Sequence, residues 1–163
     1  MPKNDPAMLK KVRVKLPWVE GEWEADPTER RAAWSLYVEL ITRIATQPLD
    51  PDHGLVSEAL ASLHQIFGVT REILRDAGPG VGARRESVGG VSVTVLNKAL
   101  RPFLAKWHHD FEDWMERRPQ GTTKYDHERG WARDKQIRGE LEKLREGMER
   151  YADALAEIAG VKD

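Results

Sequence analysis

The side chains best able to do chemistry are concentrated at 107–114, which reads Trp-His-His-Asp-Phe-Glu-Asp-Trp. On an α-helix His109 and Asp113 lie four residues apart and share one face, while His108 and Glu112 share another. Each pair supplies two nitrogen or oxygen ligands of the kind that Zn²⁺, Mn²⁺ or Fe²⁺ accepts. The stretch therefore predicts half of a metal site, provided that a further ligand lies nearby.

A catalytic metal site usually needs three protein ligands in one place. The candidates for the third are His127, Glu128, Glu39, Glu58 and His64. The sequence contains no HExxH motif and no Glu-x-x-His pairs of the di-iron type. The competing interpretation is a set of solvated flanks beside an apolar helix stripe. A metal-dependent enzyme or sensor that uses His108, His109, Asp113 and His127 is therefore an alternative hypothesis.

Basic residues form three short groups that are candidates for binding an anion or nucleic acid. They are Lys11, Arg13 and Lys15, the pair Arg84-Arg85, and the pair Arg117-Arg118. If these groups met at one end of the molecule, they would form the positive patch that phosphate binding needs. The glycine-rich stretch 78–90 lacks the Gly-Lys-Ser/Thr of a P-loop. Since the net charge is −1, pairing with nearby carboxylates is the competing interpretation.

The elements that must position these side chains are helices. Apolar residues recur every three or four positions in four segments, which predicts helices at 27–46, 52–76, 91–117 and 124–159. Asp26, Pro27 and Glu29 form a helix start, and Pro102 is expected to bend or divide the third helix. The apolar stripe of the first helix comprises Ala33, Tyr37, Leu40 and Ile44, widened by Trp34, Leu36 and Ile41. The prediction is an all-α chain with an antiparallel four-helix bundle over 26–160.

Residues 1–25 are predicted to form an N-terminal arm. Residues 1–11 are polar and expected to be disordered, whereas Val12, Val14 and Leu16 alternate with basic residues as in a strand. Pro17 argues against an interior strand, and a turn is expected at Glu20-Gly21. We expect an extended arm that packs its tryptophans on the bundle or on a neighbouring subunit.

Composition limits the class of protein. The chain has 163 residues, of which 40% are hydrophobic and 33% are charged, and it contains no cysteine. These values fit one domain with solvated helices and exclude disulfides and thiolate metal sites. No stretch approaches the ~18 consecutive apolar residues of a membrane span. We therefore expect a cytoplasmic protein without a cofactor.

Three segments, 36–49, 62–75 and 95–108, resemble a family of small bacterial all-helical proteins. The resemblance covers most of residues 16–160 and is linked to operons of defence or conflict type. It implies an accessory or assembly subunit with a role in antiviral defence. It transfers no catalytic residue to this sequence.

The preferred hypothesis is a non-enzymatic helical interaction subunit that is oligomeric or part of a larger complex. An overlong fourth helix and a tryptophan-rich arm motivate it, because an apolar helix face needs a partner to cover it. The candidate partner-binding residues are Trp18, Trp23, Arg101, Trp131 and Tyr151. Nucleic-acid binding and metal-dependent chemistry remain the two alternatives.

Overall fold

The computed structural model describes residues 9–43, 46–82 and 84–161. This part of the chain is mainly helical with one small β-sheet, which confirms the helical class. In chain order the elements are β1 Lys10–Lys15, β2 Glu20–Ala25, α1 Pro27–Ile41, α2 Val56–Ala77, α3 Val88–Val95, α4 Arg101–Glu116, α5 Lys124–Arg129 and α6 Asp134–Ala159. A short 3₁₀ turn, Pro79–Val81, follows α2, and a π-helical turn, Leu96–Leu100, joins α3 to α4.

The N-terminal segment is an antiparallel hairpin of β1 and β2, where the sequence predicts an extended arm. Val12 pairs with Trp23 and Val14 with Gly21. The Leu16 amide donates to the Val19 carbonyl at 2.9 Å, so the turn lies at 17–18 and not at the predicted 20–21. A proline with its fixed φ suits the second position of such a turn. Residues 1–8, part of the stretch expected to be disordered, lie outside the described ranges.

The hairpin packs on α6 of its own chain through Trp18. A Cβ atom built on Gly147 would lie 2.2 Å from Cη2 of Trp18, a distance that real atoms do not adopt. Gly147 therefore provides the space for the indole ring. The tryptophan side chain covers part of α6 within the same molecule.

One buried carboxylate joins the hairpin, α1 and α3. The Asp26 side chain accepts from the Glu29 amide at 2.8 Å, and Glu29 accepts from the Asp26 amide at 3.1 Å, which is the predicted capping box. Glu29 also accepts from the Trp23 indole N–H at 3.2 Å and from the Val88 amide at 3.1 Å. The same side chain thus satisfies free amides at the starts of two helices.

A second buried carboxylate caps α2 from outside that helix. Glu128 of α5 accepts from the amides of Val56 at 2.7 Å and Ser57 at 3.3 Å. The guanidinium of Arg138 lies 3.5 Å from Glu128 and donates to Asp134 at 2.9 Å. Because this cap meets α2 at Val56, the helix begins there and not at the predicted residue 52.

The third predicted helix contains a change of helix type. It begins at Val88, earlier than the predicted residue 91, because the Ser87 hydroxyl caps it by accepting from the Gly90 amide at 2.9 Å. The π-helical turn Leu96–Leu100 then leads into α4, whose first turn contains Pro102. Proline has no amide to donate, so a change in hydrogen-bond pattern beside it is expected. The three helical elements from Val88 to Glu116 follow one another without a gap, so the predicted division at Pro102 is a change of helix type and not a break.

The fourth predicted helix, 124–159, is two helices. Thr123 caps α5 by accepting from the Asp126 amide at 3.1 Å. The helix ends at Arg129 with Gly130 as its C-cap, and α6 starts only at Asp134. At its other end α6 stops at Gly160, whose φ of 81° is easily reached only by glycine.

The core lies between α1, α2, α6 and the helical run of α3 and α4. Helix α1 packs mainly against α6 and α2. The largest fully buried apolar side chains of the core include Trp107, Leu36, Leu63, Leu100, Ile137 and Met148. The structure thus covers the stripe of α6 within the chain, but it does not confirm the antiparallel four-helix bundle. Among the described residues, no helix combines the length and apolar character needed to cross a membrane.

Candidate functional site

The outer side of α1 carries an exposed apolar surface. Trp34, Val38 and Ile41 are 48%, 38% and 40% exposed, and their spacing of four and three residues places them on one helix face. The half-buried Tyr37 extends this surface, since its ring centroid lies 5.9 Å from that of Trp34. We call these four residues the α1 face. It is the most continuous group of exposed large apolar side chains that the described residues offer.

The α1 face differs from the sequence-based expectation. Trp34 and Ile41 were predicted to widen the buried stripe of the first helix, and both are exposed. Ala33, Leu36 and Leu40 are buried because α6 and α2 cover that side of α1. Of the other predicted members, Tyr37 is half-buried and residue 44 lies outside the described ranges. The apolar character of α1 therefore exceeds what its own chain covers.

A second surface feature is a groove between α2 and α4 with a volume of about 410 Å³. Its lining comprises His64, Phe67, Arg71, Arg101, Leu104, Ala105 and His108. We call it the α2–α4 groove. Two guanidinium groups and two imidazoles line it without a carboxylate, so it is a place of positive potential on a chain of net charge −1.

Both arginines of the α2–α4 groove lie against Phe67. The guanidinium carbons of Arg71 and Arg101 are 5.8 Å and 5.2 Å from the ring centroid, within the range of cation–π attraction. The Nε of Arg101 also donates to the Asn97 amide oxygen at 3.2 Å, which holds the side chain without neutralising it. Within the described residues neither guanidinium has a carboxylate within 4.0 Å.

The two histidines of the groove contact each other directly. Nε2 of His64 lies 3.2 Å from Nδ1 of His108, and the rings meet edge to face with centroids 4.6 Å apart. Burial lowers the pKa of His64, and the positive charge of protonated His108 lowers it further. Glu112 opposes this shift. In this contact one ring donates its N–H to the nitrogen of the other.

The residues of the proposed metal site do not converge. His109 lies 3.5 Å from Asp113 on the exposed side of α4, whereas His108 faces the groove. His127 is buried and stacks on Trp114 at 4.4 Å, with its Nε2 2.6 Å from the Trp114 carbonyl oxygen. Across the described ranges there is no group of three or more His, Asp or Glu side chains that could hold a metal ion.

The basic residues of β1 face acidic residues of β2. Lys11, Arg13 and Lys15 are exposed, and the exposed residues paired with them in register are Glu24, Glu22 and Glu20. The Lys11 ammonium lies 2.9 Å from Glu22, and this contact lowers the pKa of the Glu22 carboxyl. Three positive and three negative side chains share this surface, so their fields largely cancel beyond a Debye length.

The other basic groups lie on separate elements. Arg84 and Arg85 are exposed in the segment before α3. Arg117 and Arg118 are exposed after α4, where Arg118 donates to the Thr122 carbonyl oxygen at 3.1 Å. Nucleic-acid binding by these arginines stays a prediction.

Most of the aromatic residues assigned to partner binding make contacts inside the chain. Trp23 and Tyr151 are buried in the core, and the Tyr151 hydroxyl donates to the Ser92 hydroxyl at 2.6 Å. Burial raises the pKa of Tyr151. Trp18 is half-buried on α6, and Trp131 is half-buried with its ring centroid 6.0 Å from that of Trp107. Of the predicted set only Arg101 is exposed; a partner role for these residues stays a prediction.

Sequence reasoning named three of the groove residues but did not place them in one site. Arg101 and His108 were candidates for separate functions, while His64 was only one of several possible third metal ligands. A signal was present, because His64, Phe67 and Arg71 are spaced for one face of α2. The juxtaposition of that face with α4 is a tertiary contact, which the spacing within one helix cannot reveal.

The chain matches no protein-family model, no curated protein and no solved structure.

Proposed function

We propose that this chain is a non-enzymatic helical interaction subunit that associates through the α1 face. The observation that carries the proposal is the alignment of Trp34, Val38 and Ile41 on one exposed side of α1. Tryptophan is one of the residue types that most often dominate binding energy at an interface. Exposed apolar groups gain roughly 25 cal/mol for each Å² removed from water, so a partner that covers this face is favoured.

Self-association is the first form of this proposal to test. A net charge of −1 gives two copies little mutual repulsion, and an apolar stripe can pack on its own copy across a two-fold axis. A complex with a different protein is the second form. A cytoplasmic location and a place in a bacterial defence complex are proposals that rest on the sequence alone.

The decisive substitution is Val38→Glu, with Val93→Glu as its matched control. Val93 is also an exposed valine in a helix, 46% exposed, but it belongs to α3 and is not one of the four residues of the α1 face. A glutamate at position 38 places a charge in the proposed interface and should weaken association at least about ten-fold, since burying an unpaired charge is costly. The control should stay within about two-fold of the parent protein.

The measurement is light scattering coupled to size exclusion over a range of protein concentrations, with circular dichroism to verify folding. A dimer that dissociates only in the Val38→Glu protein supports self-association. If the parent protein is monomeric, capture of proteins encoded beside it is compared between the two variants. Equal behaviour of the two variants in both assays contradicts the proposal.

A further inference from the structure

The α2–α4 groove has a composition that the interaction function does not require. It places two arginines without carboxylate partners beside two histidines in mutual contact, in a space of about 410 Å³. That volume lies within the range of small-molecule pockets, roughly 300–1,000 Å³. A surface arginine is stable in water by itself, so solvation alone does not require two arginines to lie beside two histidines in one groove.

We propose that the α2–α4 groove binds the phosphate group of a small organic phosphate, with Arg71 and Arg101 as the anion-binding residues. Guanidinium groups donate parallel N–H bonds to phosphate oxygens, and the two sides of the groove supply one guanidinium each. Both arginines contact the Phe67 ring, which lowers the entropic cost of ordering them around a ligand. Leu104 and Ala105 provide an apolar wall for the organic part of the ligand.

The charge distribution favours a small phosphate over a nucleic-acid strand. A strand needs positive charge along several successive phosphates. The basic residues of β1 are offset by the glutamates of β2, and the groove is the place where two arginines converge without a carboxylate in the lining. One concentrated anionic group therefore fits the groove better than an extended backbone.

The two histidines make the affinity dependent on pH. The groups that face them are Arg71 of α2 together with Arg101 and Glu112 of α4. Burial disfavours an imidazolium at His64 in the empty groove, whereas a bound anion favours it. Binding is therefore coupled to proton uptake, and by linkage the affinity rises as the pH falls.

The test is calorimetric titration of the full chain with adenosine monophosphate at low ionic strength. Two charge-assisted contacts correspond to a dissociation constant of about 1 mM or tighter. Arg71→Gln and Arg101→Gln should each weaken binding about ten-fold or more.

Arg75→Gln is the matched control, since it removes one positive charge a single helical turn from Arg71 and Arg75 does not line the groove. This variant should change the affinity less than about two-fold. Thermal unfolding shows whether each variant is folded. Arg71→Lys keeps the positive charge and so distinguishes loss of binding from loss of folding.

Sulfate serves as the probe of pH dependence because it does not titrate near neutrality. Its affinity should rise several-fold from about pH 8 to about pH 6. The double variant His64→Gln/His108→Gln should lose this rise while retaining binding at pH 8. A wild-type affinity that is independent of pH overturns the role of the histidines.

Two further results overturn the phosphate assignment. One is an absence of heat with millimolar adenosine monophosphate and inorganic phosphate, or equal affinities in the parent protein and both glutamine variants. The other is a single-stranded oligonucleotide that binds more than about ten-fold tighter than the mononucleotide with a steep salt dependence, which would assign the groove to a strand. None of these results depends on the α1 face, so this proposal and the interaction function fail independently.

Discussion

At the scale of single residues, the contact of Gly147 with Trp18 shows how one missing side chain positions a whole hairpin. The indole ring occupies the volume in which a Cβ atom of residue 147 would lie. Gly139, two turns earlier on the same helix, has no atom within 4 Å of such a Cβ. Two glycines that are equivalent in the sequence pattern therefore have different reasons to be there.

This contrast predicts opposite effects of two alanine substitutions. Gly147→Ala forces Trp18 away and should destabilise the chain by about 1–3 kcal/mol through overpacking, less the helix propensity gained. Gly139→Ala gains only the propensity and should stabilise by up to ~1 kcal/mol. Urea unfolding followed by circular dichroism measures both. If both substitutions stabilise the chain, Trp18 does not pack on residue 147 in solution.

The pKa of His64 is a second property that is decided by individual residues and not by whole elements. His64 was an isolated histidine in the sequence, and its lowered pKa arises from burial and from His108, 44 positions away. Neither cause can be read from the residues next to it in the chain. Titration of such a group is set by its neighbours in space.

At the scale of elements, buried carboxylates determine where helices begin. The first helix has its cap in its own sequence, Asp26 with Glu29, and its start was predicted correctly. The cap of α2 is Glu128, about 70 residues further along the chain, and the start of α2 was placed too early. A cap supplied by another element leaves no local signal, which accounts for the difference between the two helices.

Glu128→Gln should therefore destabilise α2 and the segment that holds it. The substitution removes the charge that faces Arg138 and the starting amides of α2, and disrupting a buried ion pair costs roughly 3–5 kcal/mol. We expect the lower end of that range, because Arg138 keeps its contact with Asp134 at 2.9 Å. Chemical denaturation gives the stability, and hydrogen exchange of the Val56 and Ser57 amides locates the effect. A loss below about 1 kcal/mol would contradict the capping role.

An ion pair with an exposed carboxylate provides the control for this prediction. Arg145 of α6 lies 2.8 Å from Glu149, whose side chain is 58% exposed. Glu149→Gln removes one carboxylate that is well exposed, and pairs of this kind contribute less than about 1 kcal/mol. A clear difference between the two glutamine variants separates burial from charge as the cause.

At the scale of the whole molecule, the hairpin docks on its own chain. The sequence left open whether the N-terminal segment packs in cis or on a neighbouring subunit, and Trp18 lies on α6 of the same chain. The contribution of this contact to the free energy of unfolding therefore arises within one chain. The α1 face, on the other hand, has no covering element in the described residues.

Trp18→Ala tests this distinction. Loss of the half-buried indole should destabilise the chain by roughly 2–3 kcal/mol, below the usual cost for a fully buried tryptophan. Because the contact is within one chain, that loss should be the same at low and high protein concentration, and the molar mass in light scattering should not change. A destabilisation that varies with concentration would instead place Trp18 in a subunit interface.

The sequence by itself determined the helical class and the starts of α1 and α5, whereas the local Ser87 cap of α3 was missed. Asp26 with Glu29, Thr123, Pro102 and Gly160 all act within a few residues of themselves, so their effects can be read along the chain. Tertiary structure decided the hairpin turn, the cap of α2, the exposed side of α1 and the pairing of His64 with His108. These depend on which surfaces meet in space, since the burial and charge environment of a residue is set by neighbours that are distant in sequence.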